Sequence, residues 1–196
     1  MNQILKNKFN AWGFFIVACV WVVLMILELM FSVLEINIGI MYPITRMLLI
    51  GTGMVMTFLF FSISRSEPGL AAVGLILGII GLISQTALMS ELSSVTGSFI
   101  GISYIFFAFA ILKQNNRAAS WLGWAMILSS IIGLASIGMI AGMINGGFGG
   151  MTIFSAITTL FGIFVALAAI YYIIVEGSLF ESTGVPKTIN TPENLN

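Results

Sequence analysis

Six long apolar segments follow one another along this chain, and the short links between them and the two ends of the chain hold nearly all of its charged residues. A helix that crosses the hydrocarbon core of a bilayer needs about 20 apolar residues, and the segments are of that length. The pattern therefore predicts an all-α fold, a polytopic bundle of six transmembrane helices that forms one domain over residues 1–176. The predicted spans are 11–35, 42–64, 69–90, 94–112, 119–144 and 151–176.

The links carry the residues that commonly end one helix and begin the next. Pro43 and Pro68 stand where new helices are predicted to begin, a position that suits proline because the first N–H groups of a helix have no partner in it. The link at 113–117 is polar, and the link at 145–150 is rich in glycine. Beyond Glu176 the composition changes to Ser, Thr, Pro, Asn and Glu, so residues 177–196 are predicted to form a flexible polar tail.

The basic residues predict the orientation of the bundle. With six spans, all but one of them fall on the side of the membrane that holds both termini, and Arg46 alone falls toward the other side. Positive residues favour the cytoplasmic side, so both termini are predicted to be cytoplasmic. The short links fit a multi-pass protein of a prokaryotic inner membrane. The residues on the basic side are Lys6, Lys8, Arg65, Lys113, Arg117 and Lys187.

Composition narrows the chemistry that the chain can perform. Charged residues make up 7% of the chain, and histidine and aspartate are absent. Zinc, haem and catalytic-triad sites thereby lose their usual ligand or base, and the single Cys19 cannot form an internal disulfide. A net charge of zero gives no electrostatic basis for binding nucleic acid. We therefore expect no catalysis, metal site, cofactor or nucleic-acid partner, and the lipid bilayer is the first predicted partner.

Ionisable residues inside a membrane are the best candidates for a functional site. Glu28 in the first span and Arg46 in the second are predicted at similar depth near the outer surface, because the link between their helices is short. They are hypothesised to form an ion pair, with Gln85 of the third span joining a polar site there. Two alternatives stay open: Arg46 extends to the outer headgroups while Glu28 is uncharged, or the pair is purely structural.

Small residues at four-residue spacing predict where helices pack closely, since backbones can approach only where side chains are small. This spacing recurs in the third to sixth spans, which are predicted to form the tight core. The first span is bulky on every face (VWVVLMIL from Val20) and is predicted to be peripheral or to contact other membrane subunits. The glycines predicted to mediate packing are Gly74, Gly78, Gly97, Gly101, Gly138, Gly142 and Gly162.

Two stretches look similar to uncharacterised six-span integral membrane proteins of bacteria and archaea. The first runs from Tyr104 to Gly133 and contains a basic link followed by Trp-Leu-Gly-Trp, and the second is Tyr-Tyr-Ile-Ile-Val-Glu-Gly from Tyr171. The likeness covers about the last two spans and lacks the proline and longer outer loops of those proteins. It implies a six-span bundle and no particular activity.

Two functional predictions follow from these patterns. The first and slightly favoured one is a non-catalytic accessory or scaffold subunit of a membrane assembly, because the chain offers so little chemistry. The alternative is a small-solute transport component, similar to a substrate-capture subunit, with an outward-facing site formed by Glu28, Arg46 and Gln85. A closed bundle would favour the first prediction, and a polar pocket would favour the second.

Overall fold

A computed structural model describes residues 3–33, 41–87, 93–143, 149–177 and 179. Within these ranges the side chains of 3–4, 32–33, 42, 85–87, 93–98, 136–143 and 149–155 are not described. All regular structure in the described residues is helical. The predicted all-α fold is therefore confirmed at this level.

Six long helices follow a short N-terminal one, and each of the six predicted apolar segments coincides with one long helix to within a few residues. The links at 34–40, 88–92 and 144–148 lie outside the described residues, and so does the tail beyond Leu179. The helices are α1 (Gln3–Lys6), α2 (Lys8–Val33), α3 (Met41–Ile63), α4 (Pro68–Ala87), α5 (Ser93–Leu112), α6 (Arg117–Met143) and α7 (Gly149–Glu176), with a 3-10 turn at Ser64–Ser66.

Local sequence explains how α5 and α6 can be joined by so short a link. Asn115 adopts a left-handed backbone conformation (φ 57°) directly after α5, which asparagine tolerates better than most residues. The side chain of Asn116 then accepts a hydrogen bond from the backbone N–H of Ala119 (2.6 Å), as an N-cap residue does. Two consecutive asparagines thus end one helix and begin the next, which places α5 and α6 side by side.

The long helices form a closed ring in which each packs against the next along the chain, and α7 packs against α2. Neighbours run antiparallel. Across the interface of α4 and α5, Gly74 faces Phe107, Gly78 faces Ser103 and Gly81 faces Ile100. Position numbers rise on one helix as they fall on the other, which is the pairing expected of an up-and-down bundle.

One end of the ring gathers the basic links, and we call it the basic end. It contains the start of α2, the links 64–67 and 113–116, and the end of α7. A Cβ atom on Gly177 would lie 3.5 Å from Cβ of Ala11, which brings the first and last long helices together there. Lys8, Arg65, Lys113 and Arg117 therefore share this end of the bundle.

The half of the bundle next to the basic end is tightly packed. Among the described residues, all large side chains with less than 2% exposure lie in this half. They come from every long helix except α2 and α4, and α2 adds Trp21 at 4% and Ala11 and Ala18 at 0%. Tight packing thus extends beyond the predicted third to sixth spans to α3 and to part of α2. The first span, predicted to be peripheral, has the smallest buried share of the four candidate membrane segments.

Four helices of the described chain are long and apolar enough to cross a membrane. Two further apolar helices, Pro68–Ser84 and Phe99–Leu112, fall below that length within the residues whose side chains are described. Large apolar side chains cover the outside of the ring, as on a protein whose solvent is lipid rather than water. The four segments are Lys8–Phe31, Pro43–Ser66, Arg117–Ala135 and Ala156–Glu176.

Candidate ligand cavity

A cavity of about 200 Å³ lies in the centre of the ring, between the packed half and the end opposite the basic end. All six long helices contribute to its wall. For scale, an apolar cavity of about 150 Å³ holds a benzene molecule, so this one has room for a small organic molecule. Its wall is unusual for a helical bundle interior, because it combines a carboxylate with several hydroxyl groups. These polar residues are Glu28, Thr57, Ser103, Tyr104, Ser129, Thr158 and Thr159.

Glu28 is the only formally charged side chain among the described residues that line the cavity. Its Oε1 lies 3.5 Å from Nε of Arg46, and the two side chains are 22% and 39% exposed. The structure thus brings together the two ionisable residues that the sequence singled out. Arg46 itself is not part of the cavity wall, so within the pair only Glu28 borders the cavity.

The ion pair is loose in comparison with the strongest pairs found in proteins. Charge-assisted N–H···O hydrogen bonds are typically about 2.7–2.9 Å long, whereas this contact measures 3.5 Å. Both side chains keep some exposed surface, so each can also contact groups other than its partner. A carboxylate in this setting can exchange its partner for another cation more easily than one in a dry, bidentate pair.

The hydroxyl groups of the cavity wall differ in how they are satisfied. Oγ1 of Thr57 donates to the carbonyl of Gly53 in its own helix (2.9 Å), as threonines in helices often do. Oγ of Ser103 instead donates across the ring to the carbonyl of Gly74 (2.7 Å) and joins α5 to α4. Within the described part of the chain, the hydroxyls of Tyr104 and Ser129 make no hydrogen bond to protein. These two groups are therefore available to a bound molecule.

An aromatic cluster separates the cavity from the packed half. Phe60 is at its centre, with ring centroids 5.9 Å from Tyr104, 6.1 Å from Phe107 and 6.5 Å from Trp21. Phe60 and Phe107 are fully buried, while Trp21 and Tyr104 also line the cavity. The cavity thus has an aromatic floor toward the basic end, which closes it on that side.

Glycines create the room for the cavity and for close helix contact around it. A Cβ atom at Gly78 would lie 2.9 Å from Oγ of Ser103 and 2.9 Å from Cγ2 of Thr57. By contrast, a Cβ at Gly133 would meet nothing within 4 Å, although Gly133 lines the cavity. The first glycine permits close packing, and the second borders open space.

Of the glycines predicted to mediate packing, the structure describes the surroundings of four. Added Cβ atoms at Gly74 and Gly162 would lie 2.9 Å from the Phe107 ring and 3.2 Å from Cε of Met25, and at Gly101 the nearest atom, 3.7 Å away, is a backbone oxygen of Ser130. Surroundings of Gly97, Gly138 and Gly142 lie outside the described residues. So does the side chain of Gln85, whose backbone belongs to α4.

Sequence reasoning missed the most crowded described glycine contacts between different helices and most of the cavity wall. Cβ atoms at Gly81 and Gly123 would lie 2.7 Å from Ile100 and 2.6 Å from Leu112. Gly81 has no small residue four positions away, so the spacing rule could not select it, whereas Gly123 follows Ala119 by four positions and was not singled out. The cavity hydroxyls of Ser103 and Tyr104 on α5 and of Thr159 on α7 lie within apolar segments, where a hydroxyl gives little signal in a sequence.

A second polar cluster joins three helix ends at the basic end. Nε2 of Gln114 donates to the carbonyl of Ile63 (2.6 Å), and its Oε1 accepts a hydrogen bond from the Tyr172 hydroxyl (2.9 Å). Beside them, Nζ of Lys113 donates to Oε1 of Glu67 (2.7 Å). We call these residues the Gln114 clasp. It ties the link 64–67, the link 113–116 and the end of α7 together.

Comparisons with known proteins add no further constraint. No protein-family model, no curated protein and no solved structure matches the chain. Function must therefore be inferred from the cavity itself.

Proposed function

We propose that this chain crosses a cell membrane six times with both termini in the cytoplasm, and that it binds a small polar solute from the outer side as a component of a transport system. The observation that carries the proposal is the central cavity with its carboxylate and hydroxyl lining. A polar space at the depth of lipid tails is costly to maintain unless water or a ligand satisfies its groups.

Helix length and packing support six spans. Helices α4 and α5 have 20 residues each, and at about 1.5 Å per residue each is about 30 Å long, the thickness of the hydrocarbon core. Both are full members of the ring, since α4 packs against α3 and α5, and α5 against α6. If the other four helices crossed the bilayer and α4 and α5 did not, the side of the ring formed by α4 and α5 would not be covered by lipid.

The distribution of charge and tryptophan supports the orientation. Lys8, Arg65, Lys113 and Arg117 share the basic end, which by the positive-inside rule faces the cytoplasm. Trp121 and Trp124 lie near the same end, 52% and 58% exposed, as expected for indole rings at the headgroup level. The cavity then lies in the outer half of the membrane, with its aromatic floor toward the cytoplasm.

The cavity favours solute binding over the scaffold role that the sequence slightly favoured. A subunit that only holds an assembly together is best served by a uniformly packed interior, because each void loses contacts and stability. Among the described side chains, those near the basic end are packed, and those next to them border a polar space. The apolar outer face of α2, with Phe9, Ile16 and Val23 exposed by 85%, 56% and 56%, is equally well explained by contact with lipid.

Filling the cavity tests the proposal. Gly133 borders open space, so Gly133→Leu places a side chain into the cavity without a backbone clash. The purified protein in detergent would be heated with and without each of four groups of solutes at high concentration: amino acids, polyols, amines and carboxylates. A ligand present at about 100 times its Kd adds about 2.7 kcal/mol of stability, or about 5–10 °C in Tm for a chain of this size.

Gly51→Leu is the matched control, because a Cβ at Gly51 also meets nothing within 4 Å but Gly51 does not line the cavity. The expected result is a Tm increase with at least one group of solutes in the wild type and in Gly51→Leu, and none in Gly133→Leu. The proposal fails if no solute stabilises the wild type, or if Gly133→Leu responds as the wild type does.

A further inference from the structure

We infer that the cavity selects a small organic cation, a protonated amine, and that Arg46 is the resident cation which this ligand displaces from Glu28. The inference rests on the proposed function and specifies its ligand. It depends on three features of the site: the charge of the cavity wall, the aromatic floor, and the contact of Glu28 with Arg46, which does not line the cavity.

The charge of the wall is of one sign. Among the described lining residues, Glu28 alone carries a formal charge, and no lysine or arginine faces the cavity with it. The remaining polar groups are hydroxyls, which can donate to or accept from a ligand equally well. An anionic ligand would meet a carboxylate without a facing cation, whereas an ammonium group would find a charge-assisted hydrogen bond.

The aromatic floor suits the rest of such a molecule. Trp21 lies seven residues before Glu28 on α2, so the two side chains share a face about 10 Å apart along the helix. Trp21 and Tyr104 are the aromatic residues among the described lining, and aromatic rings pack well against apolar groups and attract cations. A molecule of six to nine non-hydrogen atoms, with its ammonium at Glu28 and its apolar part on the rings, matches both the spacing and the volume of about 200 Å³.

Arg46 balances the charge of Glu28 in the structure. An uncompensated carboxylate within a membrane is costly, and the guanidinium 3.5 Å away offsets that cost. When an ammonium group enters, it supplies the same charge at shorter range, and Arg46 can turn toward the headgroups, since its side chain is already 39% exposed. The ligand therefore competes with a side chain of the protein for one carboxylate.

Paired probes separate charge from shape. Benzylamine and ethanolamine are protonated at neutral pH, and benzyl alcohol and ethylene glycol match them in shape without the charge. Binding to the purified protein in detergent would be measured by calorimetry, with sodium chloride titrated separately as the inorganic cation. We expect the wild type to bind at least one amine about tenfold more tightly than its alcohol, since a hydrogen bond to a charged group is worth about 1.5–3 kcal/mol.

Substitutions of Glu28 and Arg46 distinguish a role in ligand binding from a purely structural role, because the two roles predict opposite effects. Glu28→Gln should lose amine binding about tenfold or more, and Glu28→Asp should restore part of it. Arg46→Gln should tighten amine binding several-fold, because the competing cation is gone. If Arg46 only supported the structure, its loss would weaken binding instead.

Several results would overturn the inference. It fails if benzyl alcohol binds as well as benzylamine, if Glu28→Gln retains amine affinity, or if neither the wild type nor Arg46→Gln binds either amine. Sodium binding at the same site with equal affinity would also exclude an organic cation as the selected ligand. Binding of uncharged solutes that Gly133→Leu abolishes would leave the proposed function standing while this inference falls.

Discussion

Gly81 illustrates how single residues set the distance between helices in this bundle. It faces Ile100 so closely that an added Cβ would lie 2.7 Å from Cγ1 and 3.1 Å from the backbone N of that residue. The flexible end of a side chain could move away, but a backbone atom can do so only if the whole of α5 shifts. The absence of a side chain here is therefore a structural requirement.

Gly81→Ala should consequently destabilise the protein by about 1–3 kcal/mol, the usual cost of overpacking a well-filled interface. The measurement is reversible unfolding in mixed micelles, followed by tryptophan fluorescence. Gly51→Ala serves as the control, since alanine is the better helix former and nothing lies within 4 Å of the new atom. Equal stability of Gly81→Ala and Gly51→Ala would contradict the close approach of α4 and α5.

At the scale of helices and links, the Gln114 clasp shows which polar contacts hold elements together. Gln114 bonds to two partners on two other elements, the carbonyl of Ile63 and the hydroxyl of Tyr172, in a partly buried position. The neighbouring ion pair of Lys113 and Glu67 is shorter than many, but its side chains are 58% and 36% exposed. Water screens an exposed pair strongly, so its short distance does not make it the stronger connection.

We therefore expect Gln114→Ala to cost about 1–3 kcal/mol of stability, because both hydrogen bonds are lost and a partly buried carbonyl loses its partner. Tyr172→Phe should cost about half as much, and Lys113→Ala less than about 1 kcal/mol. The three variants would be compared by the same unfolding measurement. A larger loss for Lys113→Ala than for Gln114→Ala would reverse this ranking.

The helices were predictable from sequence and the cavity was not, for a physical reason. Long apolar segments bounded by Pro68 or by the asparagines at 115 and 116 determine a helix from local residues alone. A cavity wall instead depends on which faces of different helices meet. Ser103 and Gly133 line the same cavity only because the helices close into a ring. Glu28 and Arg46 were found because a charge in an apolar segment is conspicuous by itself.

For the whole molecule, the ring organisation and the basic end combine into a prediction about the membrane. In an up-and-down bundle of six helices, the links alternate between the two ends. The structure already places the links 64–67 and 113–116 together with the start of α2 and the end of α7. Their shared positive charge predicts that this end lies in the cytoplasm and the links at 37 and 145 on the other side.

Single cysteines introduced into a Cys19→Ser background would test this arrangement in intact cells. Ser66→Cys and Asn116→Cys should resist a membrane-impermeant maleimide until the cells are opened, whereas Asn37→Cys and Asn145→Cys should react at once. The two outer variants show that the reagent labels an exposed cysteine in intact cells, and the two inner variants show that it does not enter them. Each pair has one residue from each half of the chain. Labelling of Ser66→Cys and Asn116→Cys on opposite faces would contradict the six-span ring, since Gln114 and Ile63 are joined directly at one end of it.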